Sequence, residues 1–128
     1  MKLRLKGNSV RIRLDRKDLR ELVDSGRVED RVTFGPEPRH QFSYAVEIGA
    51  ANPGQPGIYY FEGRLTVRIT RGDAEAWDGS DLVGFSSEQA TEGGAVRVLL
   101  EKDFACLDRP AGEETDDAWA FPNPSVAC

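Results

Sequence analysis

The chain has 128 residues, of which 39% are hydrophobic and 30% are charged, and its net charge is −5. This length suits one domain, and this composition excludes a disordered chain. No apolar run reaches the roughly 20 residues that a transmembrane helix needs, so no membrane partner is expected. We therefore expect a single globular domain over residues 1–128.

The first predicted element is a β-hairpin. Apolar and charged residues alternate over residues 2–6 and again over 10–14, and Gly7-Asn8 between them suits a two-residue turn. Alternation places the apolar side chains on one side of a strand and the lysines and arginines on the other. The sequence thus predicts a hairpin with one apolar face and one cationic face.

A short helix is predicted next. Asp15 is a suitable N-cap, and Asp18 three residues later resembles a capping box. Gly26 can end the helix because glycine accepts the left-handed conformation at little cost.

Three further strands are predicted before the middle of the chain. Residues 27–34 and 40–48 carry alternating apolar side chains, and a turn cluster follows at 52–57. Residues 58–70 resemble one long strand with a bulge at Gly63.

The second half of the chain gives fewer signals. Residues 71–79 favour a short helix, and 95–101 are nearly continuously apolar, as in a central strand. Residues 108–128 are acidic and rich in proline, with two aromatic residues, Trp119 and Phe121. We expect this C-terminal tail to dock on the body of the domain, because a small domain gains stability from each buried aromatic ring.

These elements predict an α+β fold built mainly on an antiparallel sheet. Six strands and one or two short helices are expected, with a partial barrel as one form that the sheet could take. No internal repeat is apparent in the sequence.

The opening MKLRLKGNSVRIRL, the segment EKDFACL at 101–107 and the FPNP at 121–124 carry a resemblance. They resemble a family of small bacterial proteins of unknown function that open with MK-[LI]-R-[LI]-KGNS and end with EKDF-x-CL before FPNP. The resemblance implies a family and brings no activity, cofactor or catalytic residue with it.

A second resemblance covers only the first 35 residues. The hairpin strand GNSVRIRL, the helix after it and Gly26-Arg27-Val28 are similar to the swapped-hairpin DNA-binding domain of antitoxins and transition-state regulators. Those domains usually have a proline where this chain has Asp15. The resemblance implies that the N-terminal hairpin could contact DNA.

No catalytic residue, metal site or cofactor is predicted. The single histidine, His40, lies in a polar stretch, and nothing in the sequence brings it to Cys106. The acidic run 113–117 lacks the ligand spacing of a calcium loop and is interpreted as a solvated loop. Cys106 and Cys128 lie too far apart for a zinc motif. We interpret both as reduced thiols, which together with the polar N-terminus predicts a cytoplasmic location.

The candidate functional feature is a cationic sheet face. Residues 1–20 hold eight basic and two acidic side chains, whereas residues 101–128 hold seven acidic and two basic ones. Cations that face each other across a sheet repel, so something negative should lie among them. The predicted anion-binding residues are Lys2, Arg4, Lys6, Arg11, Arg13, Arg64, Arg68 and Arg97.

Three interpretations of this face remain open. The protein's own acids, including Glu29, Glu47, Glu62 and Glu101, could neutralise it, which would leave a non-enzymatic binding or accessory protein. It could instead belong to a polyphosphate- or nucleotide-binding enzyme in which Glu47, Glu62 and Glu101 hold a divalent metal. The third interpretation is a DNA-binding regulator that uses the N-terminal hairpin, which the acidic isoelectric point disfavours.

We predict the first of these, a small cytoplasmic binding or accessory protein without a cofactor. Its expected partner is an anionic ligand or another protein. A homodimer through an exposed strand edge is also compatible with the sequence.

Overall fold

The computed structural model describes residues 1–105 and 118–122. Within these residues the chain forms two α-helices, eight β-strands and one 3-10 turn, Pro38–His40. The helices are α1 (Arg16–Ser25) and α2 (Arg71–Asp78). The strands are β1 (Lys2–Lys6), β2 (Ser9–Leu14), β3 (Arg27–Thr33), β4 (Gln41–Ile48), β5 (Gly57–Phe61), β6 (Arg64–Ile69), β7 (Gly84–Thr91) and β8 (Gly94–Lys102).

The strands form two four-stranded sheets. The first sheet has the order β1-β2-β8-β7, and the second has the order β3-β4-β6-β5. In each sheet the two outer pairs are antiparallel, whereas the central pair is parallel. The α+β class is as predicted, but the strands form two sheets that are not closed, where one mainly antiparallel sheet was expected.

The two halves of the described chain share one topology. Each half runs hairpin, helix, hairpin, and each sheet takes one hairpin from each half. The β2 strand ends at buried Leu14 before the N-cap Asp15, and β6 ends at buried Ile69 before the N-cap Thr70. The fold is thus duplicated although the sequence shows no internal repeat, because the halves share their topology while their turn residues differ.

The core lies between the inner faces of the sheets and the two helices. Ile12 and Leu100 fill it from the first sheet, and Val46 and Val67 fill it from the second. The helices contribute residues that are also fully buried: Leu19, Leu22 and Trp77. Side chains of this size stabilise the fold by roughly 1.5–3 kcal/mol each when they leave water.

Helix α1 begins and ends where the sequence predicts. Asp15 accepts from the Asp18 N–H at 2.8 Å, and the Asp18 carboxylate accepts from the Asp15 N–H at 3.1 Å, which completes the capping box. Gly26 has φ +84° and donates to the Leu22 carbonyl. Partial burial raises the pKa of Asp15, and repulsion from Asp18 adds to that rise.

The predicted long strand over 58–70 is two strands. Glu62 and Gly63 have φ values of +47° and +78°, so the chain reverses there in a two-residue hairpin turn instead of a bulge. The sequence does not indicate this turn, because such turns rarely contain glutamate.

Strand β7 was not predicted at all. Its residues, GFSSEQAT, include few β-branched or aromatic side chains, and its inner face carries Ser87 and Gln89 in place of apolar residues. These two polar residues form hydrogen bonds with the backbone of the second sheet and of the residue before it. Gln89 accepts from the Ile58 N–H at 3.0 Å and donates to the Ile58 carbonyl at 2.7 Å, and Ser87 donates to the Pro56 carbonyl at 2.6 Å.

Side chains therefore join the two sheets where no backbone ladder does. Gln89 links the edge strands β7 and β5. On the other side, the Met1 amino group lies 2.9 Å from the Asp18 carboxylate and 3.5 Å from that of Asp30 on β3. A homodimer through the edge of β5 or β7 finds no support, since these two edges face each other.

The described part of the C-terminal tail packs beside β8 and α1. Phe121 donates to the Asp103 carbonyl at 2.8 Å, and its ring lies 6.2 Å from that of Phe104. The Trp119 carbonyl accepts from the Arg16 N–H at 2.8 Å. Docking of the whole tail, 108–128, stays a prediction, because most of it lies outside the described residues.

Neither α1 nor α2 is long and apolar enough to span a membrane.

Candidate anion-binding face

Six of the eight predicted anion-binding residues share one surface. They are outward-facing residues of β1, β2 and β8: Lys2, Arg4, Lys6, Arg11, Arg13 and Arg97. The register pairs Lys2 with Arg13, Arg4 with Arg11 and Lys6 with Ser9 across β1 and β2. Side chains that face each other in this way lie about 5 Å apart at Cβ, so the cations are crowded. We call this surface the first-sheet face.

The other two predicted residues lie elsewhere. Arg64 and Arg68 are on β6 in the second sheet, and they face outward from that sheet. The eight residues therefore do not form one site. The sequence predicts a strand that contains Arg64 and Arg68. It does not predict that this strand belongs to the second sheet, because that depends on which hairpins pair with each other.

A shallow bowl opens at the centre of the first-sheet face. Ser9 and Leu99 lie between longer cationic side chains, and the cavity has a volume of about 200 Å³. The cationic residues that line it are Arg4, Lys6, Arg11 and Arg97. The bowl forms because the side chains of Ser9 and Leu99 are shorter than the four cationic side chains around them.

Only part of this positive charge is neutralised by the described residues. Lys2 lies 2.9 Å from the Asp103 carboxylate, and Arg11 Nε lies 3.0 Å from Oε1 of Glu101. The Arg11 Nε is buried, and its N–H makes no hydrogen bond of good geometry. Four cations of the face form no ion pair within residues 1–105 and 118–122: Arg4, Lys6, Arg13 and Arg97. The register nevertheless places Glu101 opposite Arg13 and Glu88 opposite Arg97.

The outer face of the second sheet is arranged differently. Glu29 pairs with Arg31 and Arg27, and Glu47 pairs with Arg27 and Arg68. The hydrogen bond from Arg27 lowers the pKa of Glu29 by more than partial burial raises it, and Arg31 adds to the lowering. Arg27, Arg31 and Arg68 of this face therefore already have acidic partners.

Arg68 has a further neighbour in this network. Its guanidinium lies 4.5 Å from the centre of the Tyr59 ring, a stacking distance typical of a cation–π contact. Arg64 on the same strand has no ion pair among the described residues.

The glutamates proposed as metal ligands are not brought together. Glu101 is on the first sheet, Glu47 is on the second sheet, and Glu62 is in the β5–β6 turn. No group of three histidine, cysteine or acidic residues suited to a metal occurs in the described part of the chain. His40 accepts from the Glu37 N–H at 3.2 Å within its own loop. Cys106 lies outside the described residues, as does the acidic run 113–117.

One buried cation belongs to the fold and not to this face. Lys102 lies on the inner side of β8 and donates to the Ser80 carbonyl at 2.6 Å, just beyond the end of α2. Burial lowers its pKa, although the nearby Asp81 and Asp78 oppose that effect.

Sequence reasoning missed the floor of the bowl. Ser9 belongs to the turn motif Gly7-Asn8-Ser9, and Leu99 belongs to an apolar run, so neither carries a binding signal. The parallel pairing of β2 with β8 places Ser9 beside Arg97 and Leu99 beside Arg11. That pairing joins residues about ninety positions apart, and no local pattern encodes it.

Comparison with known proteins gives a family. A family of unknown function, DUF7009, matches residues 1–125. The chain belongs to this family. The match agrees with the resemblance carried by the N-terminal and C-terminal motifs, and the family's function is not known. No curated protein and no solved structure matches the chain.

Proposed function

We propose that this DUF7009 chain is a non-enzymatic binding protein that takes a compact anion of the phosphate class in the bowl of its first-sheet face. Arg4, Lys6 and Arg97 would contact the anion directly, with the Ser9 hydroxyl beneath it. Arg11 would contribute its free N–H groups while it remains paired with Glu101.

The observation that carries the proposal is the set of cations that form no ion pair. Arg4, Lys6, Arg13 and Arg97 lie on one face and form no ion pair among the described residues, although the register places Glu101 opposite Arg13 and Glu88 opposite Arg97. On the second sheet, by contrast, Arg27, Arg31 and Arg68 share Glu29 and Glu47. Unit charges about 4 Å apart repel by about 1 kcal/mol in water and by more near a protein surface. An anion that entered the bowl would relieve this repulsion.

The shape of the bowl favours a compact anion over an extended one. Its volume of about 200 Å³ suits a short phosphate chain and not a long polymer, and its walls are guanidinium and ammonium groups. Guanidinium presents paired donors that match phosphate oxygens, and these charge-assisted bonds are stronger than neutral ones. Arg11 Nε is buried 3.0 Å from Glu101 Oε1, so Arg11 would offer only its terminal Nη groups to such an oxygen.

The test is calorimetric titration with tripolyphosphate at low ionic strength. Removal of one charged donor by Arg97→Gln should weaken binding by about 10- to 100-fold, since a charge-assisted hydrogen bond contributes about 1.5–3 kcal/mol. Arg64→Gln is the matched control, because Arg64 also lacks an ion pair but lies on the other sheet. Equal losses for the two variants, or no binding by the wild type, would contradict the proposal.

Nucleic acid is a second candidate. The resemblance of residues 1–35 to swapped-hairpin regulators is the sequence observation that favours it. The N-terminal hairpin β1–β2 carries five of the six cations on the first-sheet face. Calorimetric titration with DNA distinguishes this candidate from the anion-binding protein. Binding of a short DNA duplex that is tighter than that of tripolyphosphate, with a steep salt dependence, would favour the regulator.

A metal-dependent polyphosphate enzyme has less support, because Glu47, Glu62 and Glu101 lie on separate elements. The cytoplasmic location rests on the cysteine spacing of the sequence and remains part of the proposal. Cys106 and Cys128 are outside the described residues.

A further inference from the structure

Three aromatic side chains are exposed at one end of the second sheet. Phe34 is 75% exposed, Phe61 71% and Tyr60 66%. Phe34 and Tyr60 line a groove of about 980 Å³ together with Phe42, while Phe61 projects from the outer side of the same β5 strand end. We call these residues and the groove the aromatic end.

The loop that presents Phe34 is held in one conformation. The Phe34 N–H donates to the His40 carbonyl at 2.8 Å, and the His40 N–H donates to the Glu37 carbonyl at 2.9 Å. A side chain at Gly35 would meet the His40 ring at 2.5 Å, so this position needs glycine. The exposed ring is therefore preorganised, and preorganised aromatic residues are typical anchors of protein interfaces.

Two opposite charges without partners lie beside the rings. Glu62 and Arg64 flank Gly63 in the β5–β6 turn, and neither forms an ion pair with another described residue. Glu62 also has φ +47°, a conformation in which asparagine or glycine would be less strained. A strained, unpaired acid at this turn position is consistent with a contact outside the monomer.

We propose that the aromatic end is the interface of a twofold homodimer of this chain. In a twofold interface each patch meets an identical copy, so a surface that carries both members of a contact is complementary to itself. The aromatic end carries a projecting ring beside a groove and an acid beside a base. The Phe34 ring enters the groove of the second copy, and Glu62 pairs with Arg64 of the partner subunit in two symmetric contacts.

A small apolar ligand fits this surface less well. Ligand pockets enclose most of their ligand, whereas two of the rings that line this groove are about two-thirds or more exposed. At about 130 Å² of exposed surface each, the three rings supply about half of the ~800 Å² per subunit of a standard interface. The groove loop and the β5–β6 turn supply the rest. This inference is independent of the anion site, which lies on the other sheet.

The first test is sedimentation equilibrium of the full chain over a range of concentrations. The wild type should dimerise with a dissociation constant on the order of micromolar. Phe34→Ser should weaken the dimer at least about 10-fold, because an exposed ring can be removed without loss of the fold. Leu82→Ser is the matched control, since Leu82 is an exposed apolar residue that follows α2 and lies outside the aromatic end.

A charge exchange makes the test specific. Glu62→Arg alone and Arg64→Glu alone should each weaken self-association about 10-fold, since each places like charges opposite each other. An equimolar mixture of the two variants should form a heterodimer, because each introduced charge then meets its opposite. Melting curves check that both variants fold. A wild type that stays monomeric near 1 mM, or a mixture that does not associate, would overturn the proposal.

Discussion

The Gln89 side chain is predicted to stabilise the junction between the sheets. It donates one hydrogen bond to the Ile58 carbonyl and accepts one from the Ile58 N–H, at the place where β7 and β5 meet edge to edge. Gln89→Ala would remove both bonds and leave the backbone groups of Ile58, a buried residue, without these partners.

The expected loss follows from these contacts. Each hydrogen bond contributes about 1 kcal/mol net, and a buried backbone group left unsatisfied costs about a further 1 kcal/mol or more. Because water can reach part of this edge, we expect the free energy of unfolding to fall by about 2–3 kcal/mol in total. That is a substantial share of the ~5–15 kcal/mol that stabilises a typical domain.

Urea denaturation measures this loss directly. The midpoint should fall while the denaturant slope stays constant, since the variant exposes the same surface on unfolding. Gln41→Ala is the control, because Gln41 is exposed and its side chain has no hydrogen bond among the described residues. A loss below about 0.5 kcal/mol for Gln89→Ala would refute the reasoning.

Gln89→Glu adds a pH test. The carboxylate can still accept from the Ile58 N–H, but its second oxygen would face the Ile58 carbonyl and raise the pKa of the new acid. Protonation restores a donor, so the stability of this variant relative to the wild type should fall as the pH rises from about 4 to 7. A difference that does not change with pH would contradict this account.

Three further predictions concern stability. Gly26→Ala should lower the free energy of unfolding by about 1–2 kcal/mol through φ strain alone, since no atom lies within 4 Å of the added carbon; a loss near zero in urea denaturation would contradict this. The Arg27 hydrogen bond lowers the pKa of Glu29, so its contribution is complete above the unfolded pKa and is lost as the pH falls through the folded value; acid titration of Glu29→Gln should show a smaller loss than the wild type. Phe121→Ala should lower the melting temperature by several degrees through lost packing on Phe104, and an unchanged melting curve would show that this tail contact is not stabilising.

Local structure was predictable wherever a residue acts on its own neighbours. The β1–β2 register follows from alternation around Gly7-Asn8, and the α1 bounds follow from the capping box of Asp15 and the left-handed Gly26. In these places the side chain, the turn and the hydrogen bond all lie within a few positions of each other.

Long-range arrangement was not predictable from the same patterns. The β7 strand was missed because Ser87 and Gln89 serve the second sheet with hydrogen bonds in place of apolar packing. The turn at Glu62 was missed because glutamate rarely accepts a positive φ. The duplicated topology was missed because equivalent strands keep their buried faces while their outer faces differ.

The candidate site shows the same division. The sequence identified the cations of β1 and β2, since these form one hairpin. It could not separate Arg64 and Arg68 from them, because the assignment of β6 to the other sheet depends on the exchange of hairpins. The sequence shows Glu29 and Glu47 as candidate acids, but it does not show which arginines they pair with.

The most direct test of the anion site is an NMR titration that follows arginine side-chain Nε–Hε signals as tripolyphosphate is added. Our account predicts that the signals of Arg4, Arg11 and Arg97 shift together and saturate, while those of Arg27 and Arg68 in the paired network stay fixed. Equal, unsaturated shifts for arginines of both sheets would mean that the anion only screens the surface, and would contradict a binding site on the first-sheet face.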